Sequence, residues 1–113
     1  MTRVVNMTDL PGGETSRQFE GYYYGDVPVS FFVSGTPPGR GPRLHKHPYT
    51  EVFVVQAGRL TFTVGDATIE ASAGQIVIVP ADVPHKFTNT SSEAARHIDI
   101  HTSIRMETTW LEA

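Results

Sequence analysis

The segment from Gly39 to Glu51, GRGPRLHKHPYTE, is the most informative part of this 113-residue chain. One residue separates His45 from His47, and three residues separate His47 from Glu51. Because successive side chains of a strand point to opposite faces, the two imidazoles share one face. After the break at Pro48, Glu51 begins a new apolar segment. The spacing therefore predicts two imidazoles and a carboxylate on one side of a β-sheet.

A second segment, Gly74 to Asn89 (GQIVIVPADVPHKFTN), completes the pattern. Its prolines and Asp82 end one apolar segment and turn the chain just before His85. A strand that starts at His85 places Phe87 and Asn89 on the same face as this imidazole. If the two segments lie side by side, four side chains of the metal-ligand type meet. These are His45, His47, Glu51 and His85.

Three imidazoles and one carboxylate suit one divalent metal ion. The chain has no cysteine, so any metal must use nitrogen and oxygen donors, and thiolate catalysis is excluded. The donor types do not distinguish iron, manganese, nickel, zinc and cobalt. One or two coordination positions would stay open for water, dioxygen or a substrate. The predicted cofactor is therefore one divalent metal ion of undetermined identity.

Short apolar segments separated by glycine, proline, asparagine and aspartate dominate the chain. The predicted strands are residues 18–24, 29–33, 43–47, 51–57, 59–64, 67–72, 75–79, 85–90 and 95–101. Gly58-Arg59 and Gly65-Asp66 have the composition of tight hairpin turns. Only residues 106–111 show a weak helical period. Many short strands without intervening helices predict an all-β fold, an antiparallel sandwich or barrel.

The composition is that of a globular protein, with 39% hydrophobic and 19% charged residues. The length predicts one domain spanning residues 1–113. The net charge of −3 and the lack of a lysine or arginine cluster disfavour a nucleic-acid partner. No apolar run approaches the roughly 20 residues that cross a bilayer, and the N-terminus has no secretory apolar region. We therefore expect a cytoplasmic protein with no membrane partner.

With these spacings, both segments resemble the two signature motifs of the cupin superfamily, as found in small single-domain cupins of the cupin 2 type. The first motif spans residues 39–58, and its glycine, His-x-His, glutamate and glycine positions are all filled. They are occupied by Gly39, His45, His47, Glu51 and Gly58.

The second motif spans residues 74–89 and is matched by Gly74, Pro80, His85 and Asn89. Asp82 stands where the pattern has a glycine. Aspartate is one of the few residues that tolerate positive φ in a turn, so we expect a turn of the same shape.

The resemblance implies a single antiparallel jelly-roll β-barrel with the four ligands inside it, and frequently a homodimer. It also implies a small-molecule substrate, and the family's single-domain reactions include those of dioxygenases, isomerases or lyases, and decarboxylases. We favour a dioxygenase-like metalloenzyme, with Glu51 able to act as general base. The alternatives are an isomerase or lyase of a sugar-like or enolisable substrate, and a non-catalytic small-molecule-binding cupin. Oxalate-type decarboxylation is disfavoured because no second acidic residue can be placed in the cavity.

Other polar and aromatic residues have weaker signals. Arg43, Tyr49 and Phe87 are candidates for substrate binding, because they lie between or beside the predicted ligands. We expect His97, Asp99 and His101 to face solvent or an interface, while Ile98 and Ile100 face the core. A second metal site, a proton relay, or an acceptor that orients a ligand histidine are the alternatives for this trio. Trp110 is expected to cap the barrel or to lie at an interface.

Overall fold

The structure, a computed structural model, describes residues 2–113; Met1, the first residue of the expected domain, lies outside the described residues. Ten strands run through it. They are β1 (Ser16–Glu20), β2 (Ser30–Thr36), β3 (His45–Lys46), β4 (Glu51–Ala57), β5 (Arg59–Val64), β6 (Ala67–Ser72), β7 (Ile76–Val79), β8 (His85–Thr88), β9 (Ala95–His101) and β10 (Thr109–Trp110). The only helical segments of residues 2–113 are two short 3-10 turns, Met7–Asp9 and Gly21–Tyr24. None of the helical segments in this range is long and apolar enough to cross a bilayer.

The strands form two five-stranded antiparallel sheets. The first sheet has the order β1-β2-β9-β4-β7, and the second has the order β10-β3-β8-β5-β6. Strands that are consecutive in sequence often belong to different sheets, as β4 and β5 do, so the chain crosses repeatedly between them. This arrangement confirms the predicted all-β jelly-roll barrel of antiparallel strands.

The apolar core lies between the two sheets, and buried positions alternate along the central strands β4, β8 and β9. In β4 the residues Glu51, Phe53 and Val55 are buried and their neighbours are only partly so. Each large apolar side chain removed from water contributes roughly 1.5–3 kcal/mol, which offsets the chain entropy lost on folding. The core residues are Phe53, Val55, Leu60, Phe62, Ala71, Val77, Val79, Phe87 and Ala95.

The register of β9 against β4 places the polar trio of β9 inside the barrel. His101 lies opposite Glu51, and Asp99 lies opposite Phe53. His97, Asp99 and His101 are only 1%, 5% and 2% exposed, whereas Ile98 and Ile100 are less buried. The prediction that the trio faces outward is therefore wrong. Alternation along β9 separates the two faces, but only pairing with β4 determines which face is the inner one.

Two predicted elements differ from the structure near the sheet edges. The strand predicted at residues 18–24 ends at Glu20, and a 3-10 turn follows. Only glycine fits at the start of this turn, because a Cβ on Gly21 would lie 1.8 Å from the Val27 carbonyl oxygen. The weak helix predicted at 106–111 is wrong, because this segment forms β10 and pairs with β3.

The two predicted hairpin turns have different outcomes. Gly65-Asp66 joins the paired strands β5 and β6, so this hairpin is confirmed. Gly58-Arg59 is not a hairpin, because β4 and β5 lie in different sheets. Gly58 has a φ of 78° and crosses between the sheets, where a Cβ would lie 3.0 Å from the Ala95 Cα. A tight glycine turn in the sequence does not distinguish a hairpin from such a crossing.

Candidate metal centre

Three short elements bring the four predicted ligands together. His45 in β3 pairs directly with His85, the first residue of β8. Glu51 begins β4 in the facing sheet, and His47 follows β3. All four side chains are buried, and each offers one ligand atom within 4.8 Å of the others. The convergence expected from the spacing is therefore present in the fold.

The turn at Asp82 joins the second segment to the first. Asp82 has a φ of 64°, the positive value expected for the residue in this glycine position. Its backbone N–H donates a hydrogen bond of 2.8 Å to the carbonyl of His47. The substitution of aspartate for glycine thus preserves the turn that presents His85 to the other ligands.

Backbone carbonyls fix the orientation of the three imidazoles. The Nδ1 atoms of His45, His47 and His85 lie 2.7, 2.8 and 2.9 Å from the carbonyl oxygens of Arg43, Glu107 and Val83, respectively. A carbonyl only accepts hydrogen bonds, so each Nδ1 carries a proton. The Nε2 atoms are then the ones available to a metal, as is usual for histidine ligands whose other nitrogen donates to a protein acceptor.

The donor set fits a divalent metal ion. The Nε2 atom of His47 is buried and makes no hydrogen bond with residues 2–113, although Glu51 Oε1 lies 3.1 Å away. Leaving such an atom unsatisfied costs about 1–3 kcal/mol. Burial lowers the pKa of His45 to about 4, which keeps this imidazole neutral as a metal ligand must be. A cation bound among the four side chains would give His47 Nε2 a partner, and the neutral imidazole of His45 could bind it.

Glu51 is the negative centre of the cluster. Its Oε1 atom lies 3.0 Å from His85 Nε2, and its Oε2 atom lies 3.1 Å from His101 Nε2. Burial opposes ionisation of Glu51, but the imidazoles of His101, His47 and His85 around its two oxygens outweigh it and hold the pKa of this carboxyl well below its usual range. Burial also lowers the pKa of His85, yet its hydrogen bond to Glu51 gives a net increase. A bound metal would replace the proton that His85 shares with Glu51.

A hydrogen-bonded chain from Tyr49 holds the outer oxygen of Glu51. The Tyr49 hydroxyl accepts a hydrogen bond from the Glu107 N–H at 3.2 Å, and it lies 2.6 Å from His101 Nδ1, to which its O–H can donate. His101 Nε2–H in turn donates to Glu51 Oε2. Burial raises the pKa of Tyr49 to about 12, so the phenol keeps its proton. From the sequence we expected His101 on the outer face, because its inward direction depends on the pairing of β9.

A cavity of about 460 Å³ lies next to the cluster, bounded by His45, His47 and Glu51. Of the three residues predicted to bind substrate, Phe87 lines this cavity, whereas Arg43 and Tyr49 are not among its lining residues. Trp110 lies at the mouth, with its ring 5.0 Å from that of His45 and 51% of its surface exposed. The guanidinium of Arg43 stacks on Trp110 at 4.8 Å.

The cavity also holds a second acidic residue. Asp99 lines its wall beside the aromatic rings of Phe32 and Phe53. The premise that only Glu51 places a carboxylate in the cavity is therefore wrong. It failed for the same reason as the prediction for His101, since both residues belong to the inward face of β9.

Comparison with known proteins identifies relatives in sequence. The family model described as "Cupin domain" matches residues 32–101. Protein SchB of Streptomyces halstedii is 32% identical over 100 residues, which cover 83% of this chain and 72% of SchB. Polyketide synthase CurC of Streptomyces cyaneus is 39% identical over 62 residues, 54% of this chain and 40% of CurC. H2HPP isomerase of Bacillus subtilis is 34% identical over 77 residues, 67% of this chain but 32% of the isomerase.

Solved structures agree on the fold. Oxalate decarboxylase from Bacillus subtilis at pH 4.6 superimposes with a TM-score of 0.82 at 18% identity, over 93% of this chain and 30% of that one. A structure of the same decarboxylase concerned with its Mn(II) centres has a TM-score of 0.80 at 19% identity, over 92% of this chain and 30% of that one. The family match covers more than half of the sequence and includes all four clustered side chains. On these grounds the chain belongs to the cupin family.

Proposed function

We propose that this cupin is a metal-dependent enzyme that catalyses proton transfer on a small, enolisable carbonyl compound. The observation that carries the proposal is the convergence of three oriented imidazoles and one ionised carboxylate beside a cavity of about 460 Å³. His45, His47, Glu51 and His85 would hold the metal. The metal would supply Lewis acidity, which stabilises negative charge on a carbonyl oxygen.

The surroundings of Glu51 support a ligand role for it more than a role as base. A general base works best when its pKa lies near the working pH, and the pKa of Glu51 is held far below that range. The hydrogen bond from His101 fixes Oε2, which leaves Oε1 directed at His47 and His85. Glu51 would have to leave these partners before it accepted a proton. We therefore assign proton transfer to other groups in the cavity.

The cavity suits a small organic molecule with an apolar part. Its volume falls within the range of small-molecule sites, roughly 300–1,000 Å³. The residues that line it include the aromatic Phe32, Phe53, Phe87 and Trp110. Two relatives are named as a polyketide synthase and an isomerase, and these names agree with a carbonyl substrate and a shift of protons. The aromatic wall supports an aryl or alkyl group on that substrate.

A dioxygenase is the second candidate, as favoured by the sequence. Four protein ligands leave coordination positions open, and the aromatic wall would accept an enolisable aromatic substrate. The two candidates differ in one measurable requirement, because oxygenation consumes dioxygen and proton transfer does not. A non-catalytic binding protein would show neither effect.

Phenylpyruvate is a suitable probe to separate these functions. Its 2-oxo acid group offers two oxygens to a metal, its C3 protons are acidic, and its phenyl ring matches the cavity wall. The chain would be loaded with each of the five candidate metals and incubated with the probe in D₂O, with and without dioxygen. We expect deuterium on one face of C3 without oxygen uptake, whereas spontaneous exchange labels both C3 positions equally.

Other results would contradict the proposal. Oxygen uptake with carbon–carbon cleavage would favour the dioxygenase. Saturable binding without either reaction would favour a non-catalytic protein. Glu70→Gln is the matched control for changes at Glu51, since Glu70 lies on β6 and is largely exposed.

We also propose that the protein is a homodimer. The outer face of the first sheet carries alternating apolar residues, and Ile76 and Ile78 on its edge strand β7 are 62% and 65% exposed. On the neighbouring strand β4, Val52 lies opposite Ile78 and Val54 lies opposite Ile76. A second copy that packs on this face would remove these side chains from water.

A further inference from the structure

A second buried histidine system lies on the wall of the same cavity. His97 Nδ1 is 2.5 Å from Asp99 Oδ1, and His97 Nε2 is 2.8 Å from Thr36 Oγ1. A hydroxyl, an imidazole and a carboxylate thus form one hydrogen-bonded line. In this order an imidazole can pass a proton between two oxygen groups. None of the three residues belongs to the metal cluster.

Both ends of this line open into the cavity. Thr36 and Asp99 line it, while His97 is 1% exposed and packs its ring against that of Phe87 at 5.1 Å. Asp99 lies two residues from His101 along β9, which is about 7 Å for an extended strand. The line therefore sits one side-chain layer away from Glu51 and its partners.

Each end retains hydrogen-bonding capacity. The second carboxylate oxygen of Asp99 accepts no hydrogen bond from residues 2–113, and the Thr36 hydroxyl is bonded only to His97 in that range. Burial raises the pKa of Asp99, and the hydrogen bond between Asp99 and His97 only partly opposes this effect. Asp99 therefore holds a proton more readily than Glu51, whose pKa is shifted the other way.

We propose that Thr36, His97 and Asp99 form a proton relay that serves the ligand of this cavity. The inference rests on the proposed function and names the groups that move its protons. In the enolising direction, the Thr36 hydroxyl gives its proton to the carbonyl oxygen and takes the Nε2 proton of His97. Nδ1 of His97 then takes the Asp99 proton, and the free oxygen of Asp99 removes the C3 proton. The substrate gains one proton and loses one.

The reverse step restores the relay. Asp99 returns a proton to C3, Thr36 takes the enol proton, and the Thr36 proton moves to Nε2 while the Nδ1 proton moves to Asp99. In D₂O, the acidic proton of Asp99 exchanges with solvent between the two steps. The deuterium that appears on one face of phenylpyruvate C3 therefore reports this cycle.

The test uses the metal-loaded full chain and the stereospecific exchange of phenylpyruvate. Thr36→Val removes the hydroxyl with little change of shape, and Thr36→Ser keeps the hydroxyl as its matched control. Asp99→Asn removes the carboxylate. We expect Thr36→Val and Asp99→Asn to lower kcat by about 100-fold or more with KM and metal content unchanged, which is the usual scale of general acid–base catalysis. Thr36→Ser should stay within about fivefold of the original chain.

The outcomes separate the relay from the proposed function. Retention of exchange by Thr36→Val and Asp99→Asn would overturn the relay while leaving the function in place. An equal loss in Thr36→Ser would also overturn it, because shape and not the hydroxyl would then matter. If the unchanged chain shows no stereospecific exchange with any metal, the proposed function fails and the relay fails with it. Melting curves of each variant identify loss of folding. If Thr36→Val does not fold, the exchange rate of Asp99→Asn tests the relay.

Discussion

Glu51 and Asp99 are two buried carboxylates on paired strands of one sheet, yet their environments drive them to opposite protonation behaviour. The imidazoles of three histidines lie against the carboxylate of Glu51 and hold its pKa below the usual range. Asp99 has one histidine partner, and burial raises its pKa. The interactions of Glu51 with three imidazoles outweigh the effect of burial on its pKa. The single interaction of Asp99 with His97 does not. One carboxylate is thereby suited to hold a metal, and the other to carry a proton.

The largest expected effect on activity comes from removing the charge of Glu51. Glu51→Gln keeps the side-chain shape but removes the negative charge that three histidines surround. We expect stereospecific exchange of phenylpyruvate to fall by about 1,000-fold or more, because both metal and orientation are lost. Glu70→Gln should leave the rate unchanged. A variant Glu51→Gln with more than a tenth of the original rate would contradict the assignment.

In the metal-free chain, Glu51 and Asp99 should have opposite effects on how the free energy of unfolding depends on pH. Glu51 has a lowered folded pKa, so its contribution is present above the unfolded value of about 4.3 and is lost as the pH falls below it. Asp99 has a raised folded pKa, so it favours folding at low pH and penalises folding as the pH rises above about 4. Chemical denaturation between pH 3 and 7 should show that Glu51→Gln flattens the acid loss of stability, whereas Asp99→Asn steepens it. The same pH profile for both variants would be inconsistent with the opposite shifts.

A smaller effect is expected from the chain of hydrogen bonds behind Glu51. Tyr49→Phe removes the hydroxyl that orients His101 and leaves the ring in place. Outer partners of metal ligands typically change metal affinity by 10–100-fold, and we expect about a tenfold loss here. Competition with a chelator measures this affinity. Tyr23→Phe, at an exposed tyrosine, is the control. An unchanged metal affinity in Tyr49→Phe would show that the hydrogen bond from Tyr49 to His101 does not support metal binding.

The smallest effect on chemistry is expected at the outer face. Ile78→Lys places a charge on the edge strand and should convert a dimer to a monomer in sedimentation velocity, with little change in metal content. Ile69→Lys is the control, since Ile69 is exposed on β6 of the other sheet. A monomer in the unchanged chain, or a dimer that persists in Ile78→Lys, would exclude this interface.

The sequence predicted the parts of the fold that depend on local pattern. Alternating apolar residues located β4, β5, β6 and β9 to the residue, and the fixed spacings brought the four clustered side chains together. Asp82 was expected to adopt a positive φ, and it does. These features follow from periodicity and turn chemistry within short segments.

The parts that depend on long-range pairing could not be predicted in this way. The inward direction of His97, Asp99 and His101 is set by the register of β9 with β4, some 45 residues apart in sequence. The crossing at Gly58 and the strand β10 likewise depend on which sheet each segment joins. Consequently the sequence brought the four ligand-type side chains together but placed Asp99 and His101 on the wrong face of β9.

Elemental analysis of the purified, metal-loaded chain tests the central claim most directly. The unchanged chain and Asp99→Asn should each contain close to one divalent metal ion per chain, while Glu51→Gln should contain almost none. This result would show that the two buried carboxylates have the different roles that their environments indicate. Equal metal content in Glu51→Gln and the unchanged chain, or no metal in the unchanged chain with any of the five candidates, would contradict the account.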